Sequence, residues 1–253
     1  MSVALELSHI AVRLGGRSVL QSVSLNANAG EVLGVLGANG SGKTTLLRAA
    51  LGLQRLAGGH ALLGGHDVSK LSEGERAARA GYLPQERRVA WNLPAWRVAA
   101  LGAALRPPAE AHARATEALA ELGMTDLAER GVLDMSGGER ARVLMARLLA
   151  TGAPLLVADE PAAGLDPDAQ MLALERLQVR AGQGVAVVVT LHDLTLAARY
   201  CDRLAILDAG HLVAIGPPNE ALTPQVLRQA FELEGQIIDT PAGPMVAARR
   251  APG

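Results

Sequence analysis

The sequence predicts an α/β fold: a mostly parallel sheet flanked by helices, with antiparallel strands ahead of it and a helical insertion within it. Three observations carry this. Short apolar runs at residues 32–37, 155–158 and 185–190 each end in glycines or polar residues, and helical patterns at about 45–51, 137–150 and 168–181 alternate with them. Buried strands alternating with helices mark a parallel sheet covered on both faces. The first thirty residues differ. Val3, Leu5 and Leu7, then Val19, Val23 and Leu25, alternate with polar neighbours around Gly15-Gly16, as antiparallel strands joined by a turn do. Between about 86 and 135 the pattern breaks into helical pieces, including 109–122, punctuated by Pro94, Pro107 and Pro108. The expected organisation is one domain over 1–253. Its β core spans about 1–85 and 150–235, its helical subdomain about 86–149, and a small hairpin with a frayed end occupies 236–253, around Pro241, Gly243 and Pro244.

Composition bounds the function. Hydrophobic residues make up 49% of the 253, ample for a buried core. The 24 Lys and Arg nearly cancel 25 Asp and Glu, which argues against a nucleic-acid backbone as the main partner. The single Cys201 rules out an intramolecular disulfide and a cysteine-based zinc site. Neither a basic-then-apolar leader nor a run of about 18 apolar residues occurs, so the chain is not expected to cross a membrane by itself.

The chemistry is concentrated at the ends of the buried strands. Gly37-Ala38-Asn39-Gly40-Ser41-Gly42-Lys43-Thr44 fits the P-loop pattern between a strand and a helix, which makes the core that of a P-loop NTPase. Its glycines let backbone N–H groups curl around phosphates, and the helix N-terminus adds its positive dipole end. Lys43 is placed to reach the β/γ-phosphates, Thr44 to bind Mg²⁺ through its hydroxyl, and Thr45 extends the same phosphate site. Asp159-Glu160 closes the second buried strand, where adjacent acids are costly unless they serve an ion or a proton transfer. Asp159 suits Mg²⁺ and Glu160 suits the general base that polarises water. Gln85 can contact Mg²⁺ and water with a neutral side chain, although alone it reads equally well as an ordinary loop residue. His192, after the third strand, is by itself more often a packed or capping residue.

What joins these is Met135-Ser136-Gly137-Gly138-Glu139, just before the helix at 140–150. With it, the order of motifs resembles that of ABC ATPases over nearly the whole chain. The P-loop at 37–44 is followed by Gln85, the signature at 136–139, the acid pair Asp159-Glu160, the D-loop Gly164-Leu165-Asp166 and the switch residue His192. The resemblance implies that two ATP molecules are sandwiched between two head-to-tail subunits. Ser136, Gly137, Gly138 and Glu139 would then meet the γ-phosphate of ATP held by the partner. Asp166 would join the two sites, and His192 would hold the γ-phosphate and the attacking water. A single copy of each motif implies a homodimer. Ala38, Met135, Glu139 and Ala162 are mild departures from the family pattern. Leu14 is a larger one, because many members place an adenine-stacking aromatic there.

Several stretches resemble the ATPases of importers for iron-siderophores, haem and cobalamin, namely 81–85, 88–91, 98–102, and Leu191-His192-Asp193-Leu194 with 197–200. That resemblance implies a cytoplasmic ATPase bound to the inner face of the membrane through integral permease subunits, with a substrate-binding protein in the same system. A soluble assembly ATPase, such as that of iron–sulfur cluster biogenesis, is the competing expectation. DNA-repair ATPases of this family carry coiled coils or zinc modules, and the translation factors carry two cassettes; this sequence has neither feature. Tyr82, Trp91 and Trp96 are expected either to form a docking groove for a permease helix or to pack the helical subdomain.

Overall fold

In the computed structural model, which describes residues 2–252, β1 (Val3–Leu14) and β2 (Arg17–Asn28) pair antiparallel across the Gly15-Gly16 turn. β3 (Val32–Leu36), buried at every position, runs into the glycine loop and α1 (Lys43–Ala50). β4 (Gly58–Leu63) and β5 (His66–Asp67) complete an antiparallel sheet of order β2-β1-β4-β5. α2 (Glu73–Arg79), opened by a capping box between Ser72 and Glu75, leads into β6 (Ala80–Leu83). α3 (Ala95–Ala100), α4 (Pro108–Glu121) and α5 (Gly137–Leu149) follow. α4 begins with a proline, whose missing N–H costs nothing at a helix start. Then β7 (Leu155–Asp159), α6 (Pro167–Gly182), β8 (Ala186–Thr190), α7 (Leu194–Tyr200) and β9 (Arg203–Asp208) alternate. β10 (His211–Gly216) folds back on β9, and α8 (Pro218–Ala221) and α9 (Pro224–Phe231) precede the hairpin of β11 (Leu233–Thr240) and β12 (Gly243–Arg250).

The central sheet has the order β10-β9-β3-β8-β7-β6, parallel except for β10. β3, β7 and β8 are buried at every position and read as near-continuous apolar runs because both faces are covered. Successive side chains point to opposite faces, and the packing follows that rule. Val32, Leu36, Leu156, Ala158, Val187 and Val189 meet the face shared with α5 and α6. Leu33, Val35, Leu155, Val157, Ala186 and Val188 meet the other face, with α1 and the N-terminal strands.

Two parts of the chain depart from expectation. β9 and β10 were not anticipated. The C-terminal segment is paired from Leu233 to Arg250, so the expected frayed end over its later residues is instead a strand. Leu233, Ile237 and Val246 pack against the larger core. Arg199 Nε donates to the carbonyl of Pro244 at 2.9 Å, and the Val246 amide donates to Thr195 Oγ1 at 3.2 Å. These contacts tether the hairpin to α7.

Gly102, in the turn after α3, marks the closest approach within the helical segment: a Cβ there would overlap the carbonyl oxygen of Arg147 on α5. Gly102→Ala is expected to destabilise the protein by on the order of 1–3 kcal/mol through overpacking. Thermal and urea unfolding would read this, and an unchanged midpoint would contradict the close approach.

Candidate active site

β3, β8, β7 and β6 lie side by side and parallel, so their carboxyl ends open on one edge, where ligands of such sheets bind. β3 delivers the glycine loop, β8 delivers Thr190 and His192, β7 delivers Asp159 and Glu160, and Gln85 follows β6. Asn39, Gly40, Gly42 and Lys43-Thr44-Thr45 line a cavity of about 310 Å³ together with Gln85 and Glu160.

The loop is held by its backbone. Gly37 has φ 149°, and a Cβ there would strike the carbonyl of Leu207, so only glycine fits. Gly42 caps α1 in a left-handed conformation and supplies no side-chain hydrogen bond. The first amides of α1 therefore have no side-chain acceptor, which suits them to an anion. Lys43 is buried, with Nζ donating to the carbonyls of Gly37 at 2.8 Å and Ala38 at 3.2 Å. Burial lowers its pKa, against the opposing charges of Glu160 and Asp159. Phosphate oxygens are acceptors of the kind this ammonium needs.

The acid pair is organised through Thr190, which the sequence alone did not single out. Its hydroxyl donates to Asp159 Oδ1 at 2.6 Å and accepts from the Glu160 amide at 2.8 Å. The available signal was a lone polar residue closing the Val187-Val188-Val189 run. Glu160 stands at φ 54°, a left-handed conformation that costs a non-glycine residue on the order of 1–3 kcal/mol. Its Oε1 lies 2.5 Å from His192 Nε2, so the two side chains are in contact. Asp159 is fully buried, and its Oδ2 has no hydrogen-bond partner; the same holds for Ser41 Oγ. A buried carboxylate oxygen without a donor, beside a phosphate-type loop, is the hard oxygen ligand that Mg²⁺ selects. The residues present therefore fit the ion.

The signature residues lie elsewhere. Ser136 is the N-cap of α5 in a capping box: its Oγ accepts from the Glu139 amide at 3.2 Å, and its own amide donates to Glu139 Oε2 at 2.7 Å. Those bonds hold the Glu139 carboxyl below its usual pKa and explain why Glu serves at this position. Ser136 and Gly137 are exposed, and none of residues 136–139 lines the cavity of the P-loop. Asp166 caps α6 by accepting from the Ala169 amide at 2.9 Å, so its carboxylate has a local capping role.

The three aromatics separate. Trp96 donates its indole N–H to Glu129 at 3.1 Å, meets the His112 ring edge-on at 4.7 Å and lies under the Arg97 guanidinium. Tyr82 is half-buried, and burial, reinforced by Asp159, pushes its phenol up to about 12. Trp91 is 72% exposed. Leu14 is 42% exposed at the end of β1, paired with Arg17.

A glycine loop between a buried parallel strand and a helix, with a lysine held beside an acid pair, defines a P-loop nucleoside triphosphatase. The chain belongs to the ABC transporter family, whose model matches residues 20–163, and it is an ATP-binding ATPase of that family. It is 40% identical to Hemin import ATP-binding protein HmuV of Myxococcus xanthus, over 99% of each chain. It is 38% identical to Cobalamin import ATP-binding protein BtuD of Halobacterium salinarum, over 95% of this chain and 62% of that one. Among solved structures it is similar to the dimeric post-hydrolysis state of an ATP-binding cassette bound to ADP and Pi. There the TM-score is 0.77 and the identity 25%, over 85% of this chain and 98% of that one.

Thr190→Val keeps the shape but strands Asp159 Oδ1 and the Glu160 amide without their partner. Stability is expected to fall by about 1–3 kcal/mol, with a loss of ATP hydrolysis because both acids lose their common anchor. Stability and turnover equal to the parent's would contradict the role of this hydroxyl.

Proposed function

We propose that this chain is the ATP-hydrolysing motor of an importer for a metal chelate such as hemin or cobalamin, acting as a homodimer on integral membrane permease subunits. One observation carries the composite site: the cavity holding the P-loop, Gln85 and Glu160 contains no signature residue. Ser136, Gly137 and Gly138 start a helix with exposed N-terminal residues, a donor set matched to a phosphate on another subunit. Two copies arranged head to tail complete two pockets.

In each pocket Glu160 accepts the proton of the attacking water, and His192, in contact with it, orients that water and the γ-phosphate. Lys43 and the loop amides hold the phosphates. Thr44, Gln85 and Asp159 are the residues that would hold Mg²⁺, which when bound neutralises charge on the β- and γ-phosphates. Asp166, in the D-loop, would join the two sites across the interface.

The names of the relatives concern import, which favours transport over a soluble assembly ATPase. In this reading the chain sits on the cytoplasmic face through its permease, and a substrate-binding protein belongs to the same system. Among the described residues no helix is long and apolar enough to cross a membrane; in this reading the permease supplies the pathway. Exposed Trp91 is the aromatic suited to that interface, since tryptophan joins large apolar area to a polar handle.

Reconstitution with integral membrane permease subunits of the same organism tests the proposal, with hemin and cobalamin as cargo. ATP-dependent uptake of one of them is expected. Trp91→Ala is expected to lower uptake on the order of tenfold, as loss of an interface anchor does, while basal ATPase persists. Equal loss of uptake and basal ATPase would return Trp91 to a packing role, and ATPase without any uptake would count against the importer.

A further inference from the structure

Arg87 lies two residues beyond Gln85, between β6 and α3, and takes no part in the chemistry described above. Its partly buried guanidinium commits both terminal nitrogens to backbone. Nη1 donates to the carbonyl of Ala163 at 2.6 Å, and Nη2 donates to those of Glu160 at 2.6 Å and Pro161 at 3.0 Å. These carbonyls belong to the turn running from Glu160 towards Asp166. The turn starts in the left-handed conformation of Glu160, which persists only where the surroundings over-determine it. Thr190 fixes the amide side of Glu160, and Arg87 fixes its carbonyl side. The two anchors come from different segments, β8 and the stretch carrying Gln85.

We propose that Arg87 is a positioning residue for hydrolysis. It clamps the strained turn that aims the Glu160 carboxylate, and it ties that turn to the Gln85 segment, so that the two move together. The proposal rests on Glu160 as the base. A planar guanidinium suits this clamp because it is always charged and presents several donors in a rigid fork. An ammonium on a flexible stem cannot hold three fixed carbonyls in the same geometry. Arg88, beside it, is exposed and pairs with Glu86 at 3.7 Å, so the clamp belongs to Arg87 alone of the two.

The test compares Arg87→Ala, Arg87→Lys and Glu160→Gln in the full chain, reading kcat, KM for ATP, thermal unfolding and hydrogen exchange. Arg87→Ala is expected to lower kcat on the order of tenfold or more with KM kept within about twofold, as loss of orientation rather than binding does. Amides of the 161–166 turn, from Ala162 on because Pro161 has no N–H, should exchange faster while those of the P-loop do not, and Arg87→Lys should recover only part of kcat. Unchanged exchange over 161–166 in Arg87→Ala overturns the clamp, as does parental kcat. A kcat loss matched by a rise in KM and a general fall in stability overturns the positioning role. Should Arg87→Ala fail to fold, Arg87→Lys decides: lowered kcat at unchanged KM supports the clamp, and parental kcat overturns it. Parental turnover in Glu160→Gln would remove the base assignment, whereas faster exchange at 161–166 would still establish the clamp on the turn.

Discussion

Two adjacent carboxylates at the end of a fully buried strand are the constraint around which the nucleotide edge is built. An unpaired charge in such a place costs several kcal/mol, and the structure answers from β8, from just beyond it and from the segment after β3. Thr190 donates to Asp159 from β8. His192, just beyond β8, meets Glu160. Lys43, from the loop after β3, brings the compensating positive charge, which both acids favour. The order β3-β8-β7 is what makes this possible, because it brings Thr190, His192 and Lys43 to one strand end. A fold that separated these strands would leave the acids unpaired.

The same edge bears on the proposal that one chain holds half of a site. Lys43 and the loop amides line the positive side of the cavity, and Glu160 and Gln85 line it with them; in the proposed site the acid pair with Gln85 would hold ion and water. The helix N-terminus at Ser136 repeats the chemistry of the P-loop, with small residues, backbone donors and a positive dipole end. Its capping box is already satisfied within the chain. With Ser136 and Gly137 exposed, this helix start is the surface that the proposed second subunit would present its phosphate to.

Much of this was legible in the sequence, for physical reasons. The P-loop, the acid pair and the signature are local patterns whose residue types follow from contacts within a few positions. β3, β7 and β8 announce themselves because strands buried on both faces tolerate no polar interruption. β9 is as buried along its middle, but Arg203 and Asp208 bound it closely, and its pairing with β3 is a tertiary fact. The C-terminal hairpin extends to Arg250 because its side chains find α7 and the core, which no local signal encodes. Thr190 and Arg87 escaped for a related reason: a threonine ending a strand or an arginine in a loop looks ordinary until register brings the carboxylate or the carbonyls to it. Trp91 and Trp96, five residues apart, shared one expectation; the exposure of Trp91 and the partners of Trp96 separate them.

The central claim, a catalytic site completed by a second copy, is tested most directly by mixing two inactive variants. Lys43→Ala removes the phosphate contact of the loop, and Ser136→Arg blocks the signature, so each homodimer has two defective pockets. A heterodimer contains one pocket with an intact loop and an intact signature. Turnover that appears on mixing and rises with the heterodimer fraction is the predicted result. ATP hydrolysis by either variant alone would contradict a site shared between two chains.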